Sequence, residues 1–299
     1  MTDYGHDLLF GTFVTPSARS PQHVLDLAIA ADRAGLDLVT FQDHPYQASF
    51  LDTWTLLTFV AAQTEQIHVS GNVLSLPLRP PAVLARAAAT VDVLSGGRFE
   101  LGIGAGAFWD GIAAMGGRRL TPGKSVDALR EAIELIRDLW DAEATSVVRR
   151  EGDYYPTTGA KRGPKPAHDI GIWVGSYKPR MLALTGTHAD GWLPTFEYLP
   201  GGAASLPELN GRIDEAAVKA GRAPSDVRRL MNFMNVDFSP IGHSSLTGPP
   251  EEWVDQLTTL ALEHGITAFL IGGDDLDLTE KFAAEVAPAV RESVAKGRA

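Results

Sequence analysis

Polar and glycine-rich segments of this chain repeatedly come directly after short apolar runs. Four of these runs have the length and residue content of buried strands, namely Leu38–Phe41, Ile67–Ser70, Phe99–Ile103 and Ile172–Val174. The segments that follow them are Asp43-His44, Asn72, Gly104-Ala105-Gly106 and Gly175-Ser176-Tyr177. Because parallel strands end at the same edge of a sheet, this order predicts a (β/α)-barrel whose polar residues gather at one end.

Eight strand candidates alternate with helical segments along the chain. Strands are predicted at Leu8–Phe13, Leu38–Phe41, Ile67–Leu74, Phe99–Ile103, Ile170–Val174, Gly191–Pro194, Leu230–Phe238 and Ala268–Ile271. Helices are predicted at Pro21–Ala34, Thr53–Thr64, Pro81–Leu94, Ala107–Met115, Lys124–Asp141, Pro179–His188, Leu206–Ala220, Pro250–His264 and in a final stretch through about Val294. Without an internal linker, these elements predict an α/β fold in which residues 1–299 form a single (β/α)8 TIM barrel domain. A doubly wound sheet would need fewer strands or a clear break in the chain.

Three longer segments rich in glycine, proline or polar residues are predicted as loops. Gly152–Asp169 contains three prolines and is expected to be one long loop. Thr195–Ser205 and Ser239–Pro249 each follow a predicted strand. We therefore expect these two segments to lie over the C-terminal mouth of the barrel.

Composition excludes several functional classes. A formal net charge of −11 argues against a nucleic-acid binder or a protein of anionic membranes, since both need a basic face. The chain has no cysteine, which rules out disulfides and thiolate catalysis. No stretch reads as a signal peptide or has membrane-spanning length. The expectation is a cytoplasmic enzyme.

The Asp43-His44 pair follows the second predicted strand and is a candidate catalytic element. A histidine at a strand end of a barrel can act as a general base, or as a donor to a cofactor, near neutral pH. Asp43 can accept a hydrogen bond from the same cofactor. The alternative is a buried structural pair that closes the mouth of the barrel. The position at a strand end favours the catalytic interpretation.

A glycine-rich turn, Gly102-Ile103-Gly104-Ala105-Gly106, joins the fourth predicted strand to a helix. Glycines at such a turn let backbone N–H groups approach a phosphate, and the helix dipole favours the negative charge. With Ala107, the spacing also satisfies the dinucleotide-binding pattern, but no strand that ends in an acidic residue follows at the required distance. A Rossmann site is therefore not expected, and a purely structural turn is the alternative.

A second strand-to-helix turn runs from Gly175 to Arg180 and contains Ser176, Tyr177 and Lys178. Its backbone amides, its serine hydroxyl and its two cations can hold a phosphate. An ordinary turn with solvated charges is the alternative. The segment Thr121–Ser125 resembles the end of a Walker A loop, but no strand leads into it, so helix capping explains it better.

Other catalytic chemistries lack their sequence patterns. The eight histidines show neither an HExxH motif nor a close His–His pattern, so no metal site is expected. There is no G-x-S-x-G nucleophile elbow. No lysine lies within a predicted strand, although Lys178 directly after one leaves Schiff-base chemistry open.

Several blocks of the chain resemble the bacterial luciferase-like oxidoreductase superfamily. They are Asp43-His44-Pro45-Tyr46-Gln47, Pro77-Leu78-Arg79-x-Pro81, Leu94-Ser95-Gly96-Gly97-Arg98 continuing to Gly106, Trp173-Val174-Gly175-Ser176-Tyr177-x-Pro179-Arg180, and Ala189-Asp190-Gly191-Trp192. The resemblance implies a (β/α)8 barrel that uses FMN or the deazaflavin coenzyme F420, and it suggests a homodimer.

The resemblance also implies residue roles. Asp43 and His44 match the pair beside the deazaflavin ring, with the histidine in proton transfer. A cis peptide behind the ring corresponds to Asn72–Val73. The turns Gly104-Ala105-Gly106 and Gly175-Ser176-Tyr177 match segments that hold the ribityl and phosphate groups.

We therefore predict an oxidoreductase that moves a hydride between F420 and a small organic substrate. Sugar-phosphate dehydrogenases of the deazaflavin branch carry a tryptophan shortly after the Asp-His pair, where this chain has Tyr46-Gln47-Ala48-Ser49, which argues against their substrate. The segment from Pro179 to Gly186 resembles the deazaflavin branch more than the long-chain alkanal or alkanesulfonate monooxygenases. An apolar substrate wall is predicted from aromatic residues, each of which has the core as its alternative place: Phe13, Trp109, Tyr177, Trp192 and Phe196.

Three other functions stay open. The same fold can bind reduced FMN, which reacts with oxygen and makes the enzyme a monooxygenase. A cofactor-free barrel hydrolase or lyase would rely on carboxylates such as Asp43 and Glu197. A flavin-binding protein without catalytic activity is the third.

Overall fold

Parallel strands close into a barrel in the computed structural model, which describes residues 3–242 and 244–299. In chain order the strands are β1 (Leu9–Val14), β2 (Leu38–Phe41), β3 (His68–Gly71), β4 (Leu74–Ser75), β5 (Phe99–Gly104), β6 (Val148–Arg150), β7 (Thr157–Ala160), β8 (Ile172–Val174), β9 (Gly191–Trp192), β10 (Arg228–Phe233), β11 (Asp237–Phe238), β12 (Thr247–Gly248) and β13 (Ile266–Gly272).

The order around the barrel is β3, β2, β1, β13, β10, β9, β8 and β5, and β5 pairs with β3 to close the ring. All these pairings are parallel, with Leu9 beside Ala268 and Val69 beside Phe99. The two-residue strand β4 continues the course of β3 and also pairs with β5. The (β/α)8 barrel predicted from the sequence is confirmed.

Helices connect the strands and form the outer layer. They are α1 (Pro21–Arg33), α2 (Thr53–Gln63), α3 (Pro81–Ser95), α4 (Trp109–Ala114), α5 (Pro122–Trp140), α6 (Pro179–His188), α7 (Leu206–Lys219), α8 (Pro250–His264), α9 (Leu276–Lys281) and α10 (Ala287–Arg298). Thr121 caps α5 as predicted, since its hydroxyl accepts the Lys124 N–H at 3.4 Å. Among the described residues, no helix is both long and apolar enough to cross a membrane.

The hydrophobic core has two layers. The larger one packs the outer faces of the strands against the helices and includes Phe10, Val39 and Phe269. A smaller cluster is formed by residues of β2, β8, β10 and β13 together with the residue after β9, namely Leu38, Trp173, Leu193, Leu230, Ala268 and Leu270. Because alternate residues of a barrel strand face inward, this cluster fills the barrel below its mouth.

Several predicted boundaries are wrong. The predicted strand Ile67–Leu74 divides at a cis peptide between Asn72 and Val73. The predicted strand Leu230–Phe238 ends at Phe233, because the N–H groups of Met234 and Asn235 bind the Glu197 carboxylate and turn the chain away from the barrel.

The predicted loop Gly152–Asp169 contains β7, which forms an antiparallel hairpin with β6. The sequence does not predict this strand, because the prolines and glycines of the segment are typical of loops. A π-helical segment, Phe282–Val286, joins α9 to α10, so the predicted final helix is not one regular helix. His243, in the predicted loop Ser239–Pro249, and Met1 and Thr2 lie outside the described residues.

Candidate active site

A cavity of about 870 Å³ opens at the carboxyl ends of the barrel strands. Its wall contains the polar segments that the sequence placed after four strands: Asp43, His44, Asn72, Val73, Gly104, Ala105, Gly106, Gly175, Ser176 and Tyr177. Ligand cavities commonly measure about 300–1,000 Å³, so this one is large enough for a tricyclic ring and a small second molecule. The fold therefore brings these polar segments, which follow four different strands, to one cavity.

His44 is half-buried in this wall and is hydrogen-bonded to Tyr46. The Tyr46 hydroxyl lies 2.7 Å from Nδ1 of His44. Burial lowers the pKa of His44 from its ordinary 6.5, although the charge of Asp43 works in the opposite direction. Burial together with the same aspartate raises the pKa of Tyr46 to about 12. At neutral pH the pair therefore consists of a neutral imidazole and a protonated phenol.

Aromatic rings surround the His44 imidazole. Phe108 meets it edge-on with ring centroids 5.3 Å apart, and Phe50 lies at 6.1 Å. Phe108 also lies 6.0 Å from the Tyr46 ring. This apolar surrounding is the physical cause of the lowered pKa, because burial disfavours the charged form of a histidine.

Asp43 forms a buried ion pair with Arg79. The guanidinium donates through Nε to Oδ2 at 2.8 Å and through Nη2 to Oδ1 at 2.7 Å, and the Ser75 N–H donates to Oδ2 at 2.8 Å. The Asp43 side chain is 1% exposed. Arg79 also bonds Asp52, the cap of α2, at 2.9 Å. These contacts hold the Asp43 side chain in place next to His44 and agree with the structural alternative. A hydrogen bond between Asp43 and a cofactor stays a prediction.

The backbone around Val73 forms a bulge into the cavity. The bond Asn72–Val73 is cis, as the family resemblance implied. A Cβ atom on Gly104 would lie 2.7 Å from Cγ2 of Val73, so any other residue here would displace the Val73 side chain. Gly106 has a φ of +92°, a conformation that strains any residue with a side chain.

Asn72 pairs with Asn232 across the barrel. Nδ2 of Asn72 donates to Oδ1 of Asn232 at 2.7 Å, and Nδ2 of Asn232 donates in return at 3.2 Å. Thr40 accepts a further bond from Asn72. Both asparagines line the cavity. This reciprocal pair fixes the amide of Asn72 and joins the end of β3 to β10.

Two helix N-termini meet at the cavity rim. Pro122 and Gly123 at the start of α5, and Pro179 and Arg180 at the start of α6, all line it. No side chain caps α6, so the unpaired N–H groups of its first turn favour an anion there. Exposed Lys178 adds a positive charge.

Three side chains of the turn from Gly175 to Arg180 already have partners within the protein. The Ser176 hydroxyl lies 3.0 Å from the hydroxyl of Thr185 on α6 and is buried. The Tyr177 hydroxyl accepts the Thr195 N–H at 2.7 Å. Arg180 is paired with Asp127 at 2.8 Å. The backbone of this turn and Lys178 are therefore the groups that can hold an anion.

The predicted aromatic wall is partly wrong. Phe13, Trp109 and Tyr177 line the cavity as expected. Trp192 does not, because it is fully buried and its indole N–H donates to the carbonyl of Ser176 at 2.8 Å. Phe196 packs against Phe233 instead, with stacked rings 5.3 Å apart.

Three residues of the site were missed as functional candidates by sequence reasoning. In the sequence, Tyr46 stands near the place of a family tryptophan and Arg79 belongs to the Pro77–Pro81 motif, but neither pattern indicates a role at the site. Asn232 had one signal, an amide within an otherwise apolar strand segment. Sequence spacing alone does not show that these side chains turn toward His44, Asp43 and Asn72.

Comparisons with known proteins show the family of this chain. The sequence model of a family described as luciferase-like monooxygenase matches residues 3–236. A curated relative, the F420-dependent glucose-6-phosphate dehydrogenase of Kribbella flavida, is 32% identical over 219 residues. That alignment covers 71% of this chain and 64% of the relative, so the chain spans less than two thirds of the relative's length.

Solved structures share the fold. An F420-dependent secondary alcohol dehydrogenase, in complex with an F420-acetone adduct, superposes with a TM-score of 0.82 at 20% identity, over 95% of this chain and 99% of that one. The riboflavin lyase RcaE, with modified FMN and riboflavin, superposes with a TM-score of 0.80 at 16% identity, over 96% and 92% of the two chains. At these identities the likeness concerns the fold.

Proposed function

We propose that this chain, which belongs to the luciferase-like monooxygenase family, is an oxidoreductase that uses coenzyme F420 to oxidise or reduce a small organic substrate. The observation that carries the proposal is that one cavity is lined both by the His44–Tyr46 pair and by the glycine turns. The curated relative named as F420-dependent supports the choice of cofactor.

The residues present fit such a cofactor. Gly104 has no side chain, so its backbone can lie directly beside the Val73 side chain in the cavity wall. The backbone of the turn at Gly175–Tyr177, the start of α6 and Lys178 offer N–H groups and a cation to a phosphate. We propose that these groups hold the cofactor tail and that Asn72 and Val73 contact its ring.

His44 is proposed to move the substrate proton. When bound, the deazaflavin supplies a ring carbon that gives or takes a hydride. The Tyr46 hydroxyl occupies Nδ1 of His44 in either tautomer, because a phenol both donates and accepts. Nε2 is therefore the nitrogen left to exchange a proton with a substrate oxygen. A neutral imidazole at pH 7 can take this proton when an alcohol is oxidised.

We propose that the substrate is small and uncharged. Phe13, Trp109 and Phe108 give the cavity an apolar wall, and Phe108 meets the His44 ring edge-on. Among the described lining residues, the lysine and arginine side chains are Lys178 and Arg180, and Arg180 is already paired with Asp127. If Lys178 binds the cofactor, no further cation is left for a sugar phosphate. Secondary alcohols and their ketones fit this wall.

The experiment is a parallel titration of cofactor-free protein with F420 and with FMN, followed by turnover assays under anaerobic conditions. We expect F420 to bind in a one-to-one complex and to be reduced by a panel of neutral secondary alcohols faster than by glucose 6-phosphate. The variant His44→Ala should bind F420 but lose turnover. Tight FMN binding without F420 binding would instead identify an FMN-dependent monooxygenase, and equal activity without either cofactor would identify a hydrolase or lyase.

We further propose that residues 1–299 act as one domain in a cytoplasmic homodimer. The homodimer is implied by the family resemblance and the location by the composition. Sedimentation equilibrium should give twice the chain mass, and a mass equal to one chain would contradict the dimer.

A further inference from the structure

A second cluster of titratable residues lies at the end of the barrel opposite to the cavity. His68 is the first residue of β3, Glu100 is the second residue of β5, and His168 lies in the segment before β8. Because all three stand at or near the amino ends of parallel strands, they are separated from the mouth by the length of the barrel. None of them takes part in the function proposed above.

We propose that His68, Glu100 and His168 form a binding site for a divalent transition metal, with zinc as the preferred ion. Each residue offers one ligand atom, and these three atoms lie within 4.8 Å of one another. Two imidazoles and one carboxylate are a typical protein ligand set for zinc. The site would join β3, β5 and the segment before β8.

The distances within the cluster are compatible with a shared metal ion. Oε1 of Glu100 lies 3.3 Å from Nε2 of His168 and 3.6 Å from Nδ1 of His68. The second distance is too long for a hydrogen bond, and the first is at the long end of the range. Zinc with ligands at about 2.0–2.2 Å in a tetrahedron separates neighbouring ligand atoms by about 3.4 Å.

Asp92 already orients His168 in the way that metal sites require. Its Oδ1 lies 2.7 Å from Nδ1 of His168, and its Oδ2 accepts the N–H groups of Ala167 and His168. Asp92 itself is fully buried. A carboxylate that receives the Nδ1 proton leaves Nε2 free for a metal and fixes the plane of the ring. That Nε2 is the atom facing Glu100.

Glu100 is also held in place, while His68 is free to adjust. Oε2 of Glu100 accepts the Gly171 N–H at 2.7 Å, which leaves Oε1 for the two histidines. The His68 side chain is 38% exposed, so a small rotation can bring its nitrogen to the ion. The cation Arg228 is close enough to Glu100 for an electrostatic interaction. Its guanidinium, however, donates to the carbonyl of Asp7 at 2.6 Å.

Without metal, the same residues form an ion cluster. Hydrogen bonds to Asp92 and Glu100 raise the pKa of His168 to about 10, so its protonated ring bridges the two carboxylates. In that state Nδ1 of His68 lies 3.6 Å from Oε1 of Glu100, and the His68 and His168 rings meet edge-on with centroids 6.0 Å apart. The sequence predicts no metal site because local histidine motifs are absent from it, whereas these three ligands come from separate segments of the chain.

The test is calorimetric titration of tag-free, EDTA-treated protein with zinc chloride. We expect one zinc ion per chain in the wild type, and binding weakened by more than about tenfold in His68→Ala and in Glu100→Gln. The matched control is His23→Ala, which removes an exposed histidine of α1 that bonds the carbonyl of Asp274 and should leave zinc binding unchanged. Cobalt chloride gives a second readout, the visible absorption of four-coordinate Co²⁺, which His68→Ala should abolish.

A wild type that binds no zinc, or a His68→Ala variant that binds zinc as tightly as the wild type, would overturn the proposal. His68 is partly exposed, so this variant is expected to fold, as circular dichroism will show, even if Glu100→Gln does not. The outcome is independent of the cofactor titration, because the two sites lie at opposite ends of the barrel.

Discussion

The hydroxyl of Tyr46 lies 2.7 Å from Nδ1 of His44, and both side chains line the cavity at the mouth of the barrel. This contact occupies one nitrogen of the imidazole and fixes the direction of the other. In the proposed reaction, Tyr46 is therefore a positioning residue and His44 the group that exchanges the proton.

Replacing Tyr46 by phenylalanine should lower kcat about 10- to 100-fold, because Nδ1 of His44 loses its partner and the ring loses its fixed direction. The substrate KM and the Kd for F420 should change less than about twofold, since the phenyl ring keeps the packing against Phe108. Steady-state kinetics and fluorescence titration measure both. The matched control is Tyr198→Phe, a cavity-lining tyrosine for which kcat should not change. Equal losses in both variants would contradict the role of Tyr46.

The pH profile should report the titration of His44. Burial lowers the pKa of His44 below 6.5, so the neutral form predominates at pH 7. For alcohol oxidation, which needs the neutral base, kcat/KM should be constant near neutral pH and fall tenfold per unit below the lowered pKa. Measurement of kcat/KM through the acid range checks this. A profile that falls below a pKa clearly above 6.5 would rule out the neutral imidazole as the base.

The buried pair Asp43–Arg79 should contribute far more to stability than its exposed neighbour. Asp43→Asn leaves the charge of Arg79 without its main partner and should cost about 3–5 kcal/mol of unfolding free energy. Asp52→Asn keeps the cap of α2 and removes a contact whose carboxylate is 47% exposed, so it should cost about 1 kcal/mol or less. Urea denaturation compares the two variants. Similar costs would show that burial of Asp43 has no special effect.

Gly104→Ala should weaken F420 binding more than tenfold, because its Cβ atom would lie 2.7 Å from the Val73 side chain and displace the bulge in the cavity wall. The control is Gly211→Ala on α7, where an added Cβ meets no atom within 4 Å. Fluorescence titration should give the wild-type Kd for the control. If Gly104→Ala binds F420 with the wild-type Kd, the bulge at Val73 is not part of the cofactor site.

Lys178→Ala should raise the Kd for F420 and reduce its dependence on salt, because one cation near the proposed phosphate site is lost. Lys124→Ala is the control, since Lys124 is exposed in the first turn of α5 but does not line the cavity. Titration at low and high salt compares the two variants. If both variants keep the wild-type salt dependence, the phosphate site lies elsewhere.

Much of the barrel could be predicted from the sequence because its strands are buried and therefore apolar. The run Leu38–Phe41 matches β2 residue for residue, and Phe99–Ile103 differs from β5 by one. The apolar run Ile67–Leu74 predicts one strand, because the break in the backbone at Asn72–Val73 leaves no mark in an apolar pattern. Boundaries failed where a tertiary contact decides them, as when Glu197 binds the N–H groups that follow Phe233.

The site was predictable as a set of positions rather than as a set of contacts. Strand ends converge in any barrel, so His44, Asn72 and the two glycine turns could be expected in one cavity. Residue spacing does not give the direction of a side chain. Trp192 is therefore predicted in the cavity wall, whereas its indole N–H donates to the carbonyl of Ser176. The cluster of His68, Glu100 and His168 was not predicted because its members come from three separate segments of the chain.

A crystal structure with F420 bound tests the central claim most directly. The account predicts that the deazaflavin ring lies against Val73 with a substrate position within reach of Nε2 of His44, and that the phosphate lies at the start of α6. A ring bound away from His44, or a cofactor phosphate far from Lys178, would contradict it.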